Sequence, residues 1–148
     1  MAVQSQAGYA GDVDPVVAYQ DLASNPNAQL IDVRTRAEWS FVGIPDLSAL
    51  GKEPLLIEWQ SWPAMDVAGD FVKRLGEQLA ARNVGSEAPL YFICRSGVRS
   101  GAAALAAAGA GFSSTFNVTG GFEGPPDGER HRGRIAGWKA ASLPWSQS

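Results

Sequence analysis

Apolar residues fall into two periods along this chain. Four short runs, at residues 28–33, 54–59, 89–93 and 112–118, are rich in apolar, β-branched or aromatic side chains, most continuously in Pro89-Leu90-Tyr91-Phe92-Ile93. Runs of that length and composition read as buried strands. A further short strand is expected at the sheet edge near residues 9–13, after a small and polar lead-in over residues 1–9. Between the runs, apolar positions return at helical spacing. Asp14 can cap a helix that Pro15 opens and whose face carries Val16, Val17, Tyr19 and Leu22, ending at Asn25-Pro26. Val67, Phe71, Val72, Leu75 and Leu79 outline a second helix reaching about Arg82. The alanine run 102–108 is a third, stopped by Gly109-Ala110-Gly111, and residues 135–142 predict a last helix that closes on Leu143-Pro144-Trp145. Alternating strands and helices predict an α/β fold, a three-layer α/β/α domain whose central sheet has about five mainly parallel strands. The domain is expected to span residues 10–145.

Composition narrows the partners. The chain has 148 residues, 45% hydrophobic and 18% charged, which fits one globular domain with a sizeable core. A net charge of −3 and a pI near 5.1 argue against nucleic acid and membrane surfaces as partners, since both attract basic patches. No window approaches the roughly 20 apolar residues of a membrane span. The first residues show neither a basic nor an apolar signal region, and the single cysteine cannot form an intramolecular disulfide, so a cytoplasmic location is expected.

That cysteine stands in the most informative stretch. Cys94-Arg95-Ser96-Gly97-Val98-Arg99-Ser100 follows a strand and opens a helix. A thiol reacts as thiolate, which nearby cations and the positive end of a helix favour. Arg95 and Arg99 supply permanent charge, and Gly97 lets the backbone curl so that amides from Arg95 to Ser100 converge on one centre. The expectation is a semicircular anion-binding loop with Cys94 at its floor. A lone cysteine is commonly a small buried hydrophobe, but two arginines, two serines and a glycine around it oppose an apolar setting.

Three segments together resemble the rhodanese-like sulfurtransferase family. The cysteine loop resembles its active-site loop, Leu30-Ile31-Asp32-Val33-Arg34-Thr35-Arg36-Ala37-Glu38-Trp39 its first signature, and Asn117-Val118-Thr119-Gly120-Gly121-Phe122 its asparagine-x-x-glycine-glycine signature. One departure is plain: where a glycine-histidine-isoleucine is common in the family, this chain has Gly43-Ile44-Pro45. The resemblance implies double displacement. Cys94 thiolate takes the sulfane sulfur of an anionic donor such as thiosulfate, sulfite leaves, and a thiol or cyanide accepts the sulfur from the resulting persulfide. It also implies that residues 95–100 hold the anion, that no metal or organic cofactor takes part, and that a partner protein is a possible sulfur acceptor. A carrier module that turns thiosulfate over poorly shares the same loop. A cysteine phosphatase or arsenate reductase is the less favoured alternative, because four residues separate Cys94 from Arg99 where the phosphatase pattern has five.

Other residues carry two readings each. Asp32 either lines the pocket or caps the following turn and pairs with a cation. Arg34 and Glu38, four apart, are expected to pair with each other as support. Gly120 and Gly121 are expected to bring backbone close to the cysteine loop. Trp59 and Trp62 either wall the crevice, offer a docking surface to a partner protein, or cap the core. His131 either acts as an acid or base, or holds a charged substrate with Arg130, Arg132 and Arg134, or is merely solvated.

Overall fold

A computed structural model describes residues 3–6, 8–61, 66–67 and 69–147. In chain order the elements are β1 (Val3–Gln6), β2 (Tyr9–Val13), α1 (Pro15–Ser24), β3 (Gln29–Asp32), α2 (Arg36–Phe41), β4 (Ile44–Pro45), a 3-10 turn (Ser48–Leu50), β5 (Leu55–Leu56), β6 (Gln60–Ser61), β7 (Asp66–Val67), α3 (Phe71–Ala81), β8 (Leu90–Ile93), α4 (Val98–Gly109), β9 (Thr115–Val118) and β10 (Trp145–Ser146). The main sheet has the order β1-β2-β9-β8-β3-β5. Its five strands from β2 to β5 are parallel to their neighbours, and β1 joins β2 antiparallel. The fold is therefore the expected α/β arrangement around a mainly parallel sheet. One place in the order differs. Part of the segment expected as a lead-in contributes β1, so Tyr9–Val13, expected at the edge, lies one strand in.

Alternation along the strands builds a core on each face. Leu90, Phe92 and Cys94 point to one side with Ile31, Val33, Phe71, Leu75, Leu79 and the buried alanines of α4. Tyr91 and Ile93 point to the other, with Leu30, Ala18 and Leu22 of α1, Phe122 and Trp138. The alanines let α4 lie close on β8 and β9, and they orient its first turn over the end of β8. The start of α1 follows the expected chemistry, with Val16 N–H donating to the Asp14 carboxylate at 2.8 Å and Pro15 at the first position.

Two helix expectations need correction. Val67 does not belong to the second helix; it pairs with Gln60 in the small β6–β7 hairpin, and α3 begins at Phe71. Residues 135–142 form turns, not a helix. There Trp138 and Lys139 donate their amides to the carbonyls of Gly121 and Phe122, at 2.8 and 3.1 Å, in place of a helical ladder. Gly137, at φ +98°, makes this possible: a Cβ on it would stand 2.7 and 2.8 Å from the carbonyl oxygens of Gly121 and Gly120. The chain ends by pairing β10 with β4, and Trp145 meets the Phe122 ring edge-on at 6.1 Å.

Candidate active site

Parallel strands gather their following loops at one edge of the sheet, and here β3, β8 and β9 deliver Asp32, Cys94 and the Gly120-Gly121 turn to it. Cys94 is 1% exposed. Its Sγ accepts the Gly97 amide at 3.1 Å, and Ser100 Oγ lies 3.2 Å away. Gly97 sits at φ +120° immediately before α4, a twelve-residue helix whose N-terminus adds positive potential beside the sulfur. The loop is held from below. The carbonyl of Cys94 accepts from Phe122 N–H at 2.7 Å, and that of Arg95 accepts from Glu123 and Gly124, both at 3.0 Å. Gly121 lets this happen, since a Cβ there would lie 2.5 Å from the Cys94 carbonyl oxygen and 2.6 Å from the Arg95 carbonyl carbon. The close approach to the cysteine loop expected of this pair is thus present at Gly121, whereas Gly120 packs against residues 136–137, where a Cβ would lie 2.7 Å from the Gly137 amide nitrogen.

Ser100 leads away from the sulfur into a partly buried polar chain. Its hydroxyl donates to Asn117 Oδ1 at 2.6 Å, Asn117 Nδ2 donates to Asp12 Oδ1 at 3.2 Å, and Tyr9 hydroxyl donates to the same oxygen at 2.9 Å. Partial burial first, and the hydrogen bond to Asp12 second, push the Tyr9 phenol up to about 12, so it stays a donor. One Ser100 proton thus faces two acceptors, Asn117 and Cys94. Tyr9 and Asp12, from a different strand, carry no motif that sequence could flag. Asn117 is the asparagine of the asparagine-x-x-glycine-glycine segment, and its link to Ser100 is visible only in three dimensions.

The two arginines differ. Arg99 forks onto Glu38, Nη1 to Oε1 at 2.7 Å and Nη2 to Oε2 at 2.9 Å. Burial alone would raise the Glu38 carboxyl, but Arg99 and the Thr35 amide outweigh it and bring the group down to about 2. On Arg99, burial opposes the charge and the Glu38 pair outweighs it, with smaller contributions from Cys94 and Asp32, so its affinity for the proton is raised. The expected Arg34–Glu38 pair is absent. Glu38 instead closes a capping box with Thr35 at the start of α2, as the Thr-x-x-Glu spacing allows, and reaches across to α4. Arg34 turns inward, 0% exposed. It donates Nε to Asp32 Oδ1 at 2.9 Å and Nη2 to Asp32 Oδ2 and the Gly43 carbonyl, both at 2.7 Å, and its guanidinium lies 4.2 Å from the Phe122 ring centre. Asp32 also accepts the Arg34 amide at 3.1 Å, which matches the capping and pairing reading of that residue, and it is the Arg34 bond to the Gly43 carbonyl that reaches the Gly43-Ile44-Pro45 segment. Arg95 is exposed and, among the described residues, has no ion-pair or hydrogen-bond partner for its guanidinium.

Beside this loop lies a cleft of about 620 Å³ lined by Thr35, Ala37, Glu38, Phe41, Val42, Gln60, Arg95, Arg99 and Glu123. Phe41 and Val98 stand at 82% exposure. Ser96 and Gly97 are half-buried in the loop. Trp59 packs edge-on against Phe71 at 5.1 Å, so it caps the core; Trp62 lies outside the described residues. His131 is exposed in a separate loop whose Asp127 accepts its backbone amide, while Arg132 and Arg134 bind the Gly124 carbonyl and Asp127. None of these three lines the cleft.

Comparison with known proteins agrees with this fold. The STR4 middle domain family matches residues 11–148. A crystal structure of Rv0390 from M. tuberculosis is 45% identical, with a TM-score of 0.83 over 95% of this chain and 99% of its own. The uncharacterized protein RP600 homolog of Rickettsia rickettsii is 38% identical over 86% of this chain and 90% of its own length. The chloroplastic rhodanese-like domain-containing protein 4 of Arabidopsis thaliana is 30% identical over 86% of this chain and 24% of its own length. The solution structure of a polysulfide-sulfur transferase homodimer from Wolinella succinogenes shares the fold, at 24% identity and a TM-score of 0.56 over 92% of this chain and 77% of its own. Residues 11–148, nearly the whole of it, place this chain in the STR4 middle domain family, which is rhodanese-like.

Proposed function

We propose that the protein is a sulfurtransferase that carries a sulfane sulfur as a persulfide on Cys94. The observation that carries the reading is the setting of Sγ: at the end of β8, under the N-terminus of α4, with the Gly97 amide at 3.1 Å and the Ser100 hydroxyl at 3.2 Å. Such donors stabilise a thiolate and then the negative charge of a persulfide. In the first half-reaction the Cys94 thiolate forms a bond to the outer sulfur of a donor such as thiosulfate. The donor's S–S bond breaks and its electron pair leaves with sulfite. In the second, an acceptor thiolate or cyanide bonds to the outer persulfide sulfur, and the Cys94 thiolate is restored. Arg95 draws in the anionic donor. No cofactor enters this scheme.

Steady-state sulfur transfer from thiosulfate to cyanide and to a dithiol tests the reading. Wild-type protein should turn over, and Cys94→Ser should be inactive with an unchanged melting temperature. Turnover retained by Cys94→Ser would refute it. A second reading, a persulfide carrier that discharges onto a partner protein, is favoured by the exposure of Phe41 and Val98 at the mouth of the site. It predicts slow turnover with small acceptors and fast discharge onto a protein thiol.

A further inference from the structure

The cleft is better matched to hydrocarbon and low charge than its two arginines suggest. Among the residues lining it, Arg95 and Arg99 are balanced by Glu38 and Glu123, and Ala37, Phe41 and Val42 supply apolar wall. Glu38 does more than balance charge, because its carboxylate occupies both arms of the Arg99 fork, at 2.7 and 2.9 Å. The Glu38 carboxyl is held down to about 2, so it remains ionised throughout the neutral range. The capping box on Thr35 fixes it from the other side, with Thr35 N–H donating to Oε1 at 3.1 Å. A dianion entering the cleft would have to displace a pre-organised carboxylate from Arg99 or rely on Arg95 alone.

We infer that Glu38 is a specificity-determining residue: it withholds Arg99 from anions, so that a dianionic donor such as thiosulfate is held weakly, by Arg95 alone, and the cleft selects acceptor thiols with an apolar flank and little charge over dianionic ones. This rests on the sulfur-transfer reading for the identity of the ligands but not for the charge selection itself. Glu38→Gln is the informative variant, because glutamine still serves the capping box while losing the ion pair.

Binding of thiosulfate, measured by calorimetry in a Cys94→Ser background where no transfer can occur, separates the two claims. Replacing Glu38 by Gln should tighten binding about tenfold at low ionic strength, the scale on which an uncompensated cation focuses an anion. Adding Arg99→Ala should abolish that gain. No tightening, or a gain that survives Arg99→Ala, would overturn the inference. In protein with native Cys94 loaded from polysulfide, discharge to 2-phenylethanethiol should outpace discharge to mercaptosuccinate, and Glu38→Gln should shrink the ratio; equal rates in the wild type would also overturn it. If Cys94 never loads, the sulfur-transfer reading falls while the binding result stands.

Discussion

The single proton of Ser100 makes a sharp demand at the residue scale. With Cys94 as thiol, the hydroxyl bonds Asn117 Oδ1, its shorter contact at 2.6 Å, and once a thiolate forms it can swing to Sγ at 3.2 Å. Asn117 cannot turn its amide to compete as a donor to Ser100, because its Nδ2 is committed to Asp12. Ser100→Ala should therefore slow alkylation of Cys94 by iodoacetamide at neutral pH about tenfold, the worth of one hydrogen bond to a charged group. Ser100→Thr should recover most of the rate. An unchanged rate in Ser100→Ala would mean that Gly97 and α4 suffice. The arginines can be ranked in the same way. Arg95 has no partner among the described residues, whereas Arg99 is forked onto Glu38, so Arg95→Ala should raise KM for thiosulfate more than Arg99→Ala does. The reverse order in steady-state kinetics would mean that Arg99 leaves Glu38 to serve the donor.

At the scale of elements, Glu38 ties α2 to α4 and caps α2 at once. Glu38→Ala removes both, and should cost about 1–3 kcal/mol in chemical denaturation. The pH dependence follows from the depressed carboxyl. A folded-state value of about 2 against an ordinary 4.5 means that this stabilisation is complete above 4.5 and is lost as pH falls toward 2. The stability gap between wild type and Glu38→Gln should accordingly narrow across that window; a gap that widens on acidification would contradict the pairing. The Gly120-Gly121 turn has a different role. It seats the cysteine loop by backbone contact, so Gly121→Ala, at φ +64° and with a Cβ placed 2.5 Å from the Cys94 carbonyl oxygen, should destabilise the protein by about 2 kcal/mol or more. Thermal melting would show this, and a neutral effect would mean that the loop can shift away.

For the whole molecule, the features legible in sequence were those with local causes. The Asp14-Pro15 start, the apolar strands and the strand–loop–helix around Cys94 follow from caps, periods and turn residues that act within a few positions. What was not legible depends on distant partners. The spacing of Arg34 and Glu38 suggested a pair, but Asp32 holds Arg34 inside and Arg99, 61 residues from Glu38, takes the carboxylate. Residues 135–142 look helical in sequence, yet the Gly121 and Phe122 carbonyls capture the Trp138 and Lys139 amides a helix would need. Tyr9 and Asp12 reach Asn117 only because β2 lies beside β9 in the sheet.

The central claim, that Cys94 carries the transferred sulfur, is tested most directly by intact-protein and peptide mass spectrometry after incubation with thiosulfate or polysulfide. Wild-type protein should gain one sulfur atom, mapped to the peptide bearing Cys94 and lost on addition of an acceptor thiol, and Cys94→Ser should gain none. A wild-type protein that takes up no sulfur from either donor, or a Cys94→Ser protein that takes it up as well, would contradict the account.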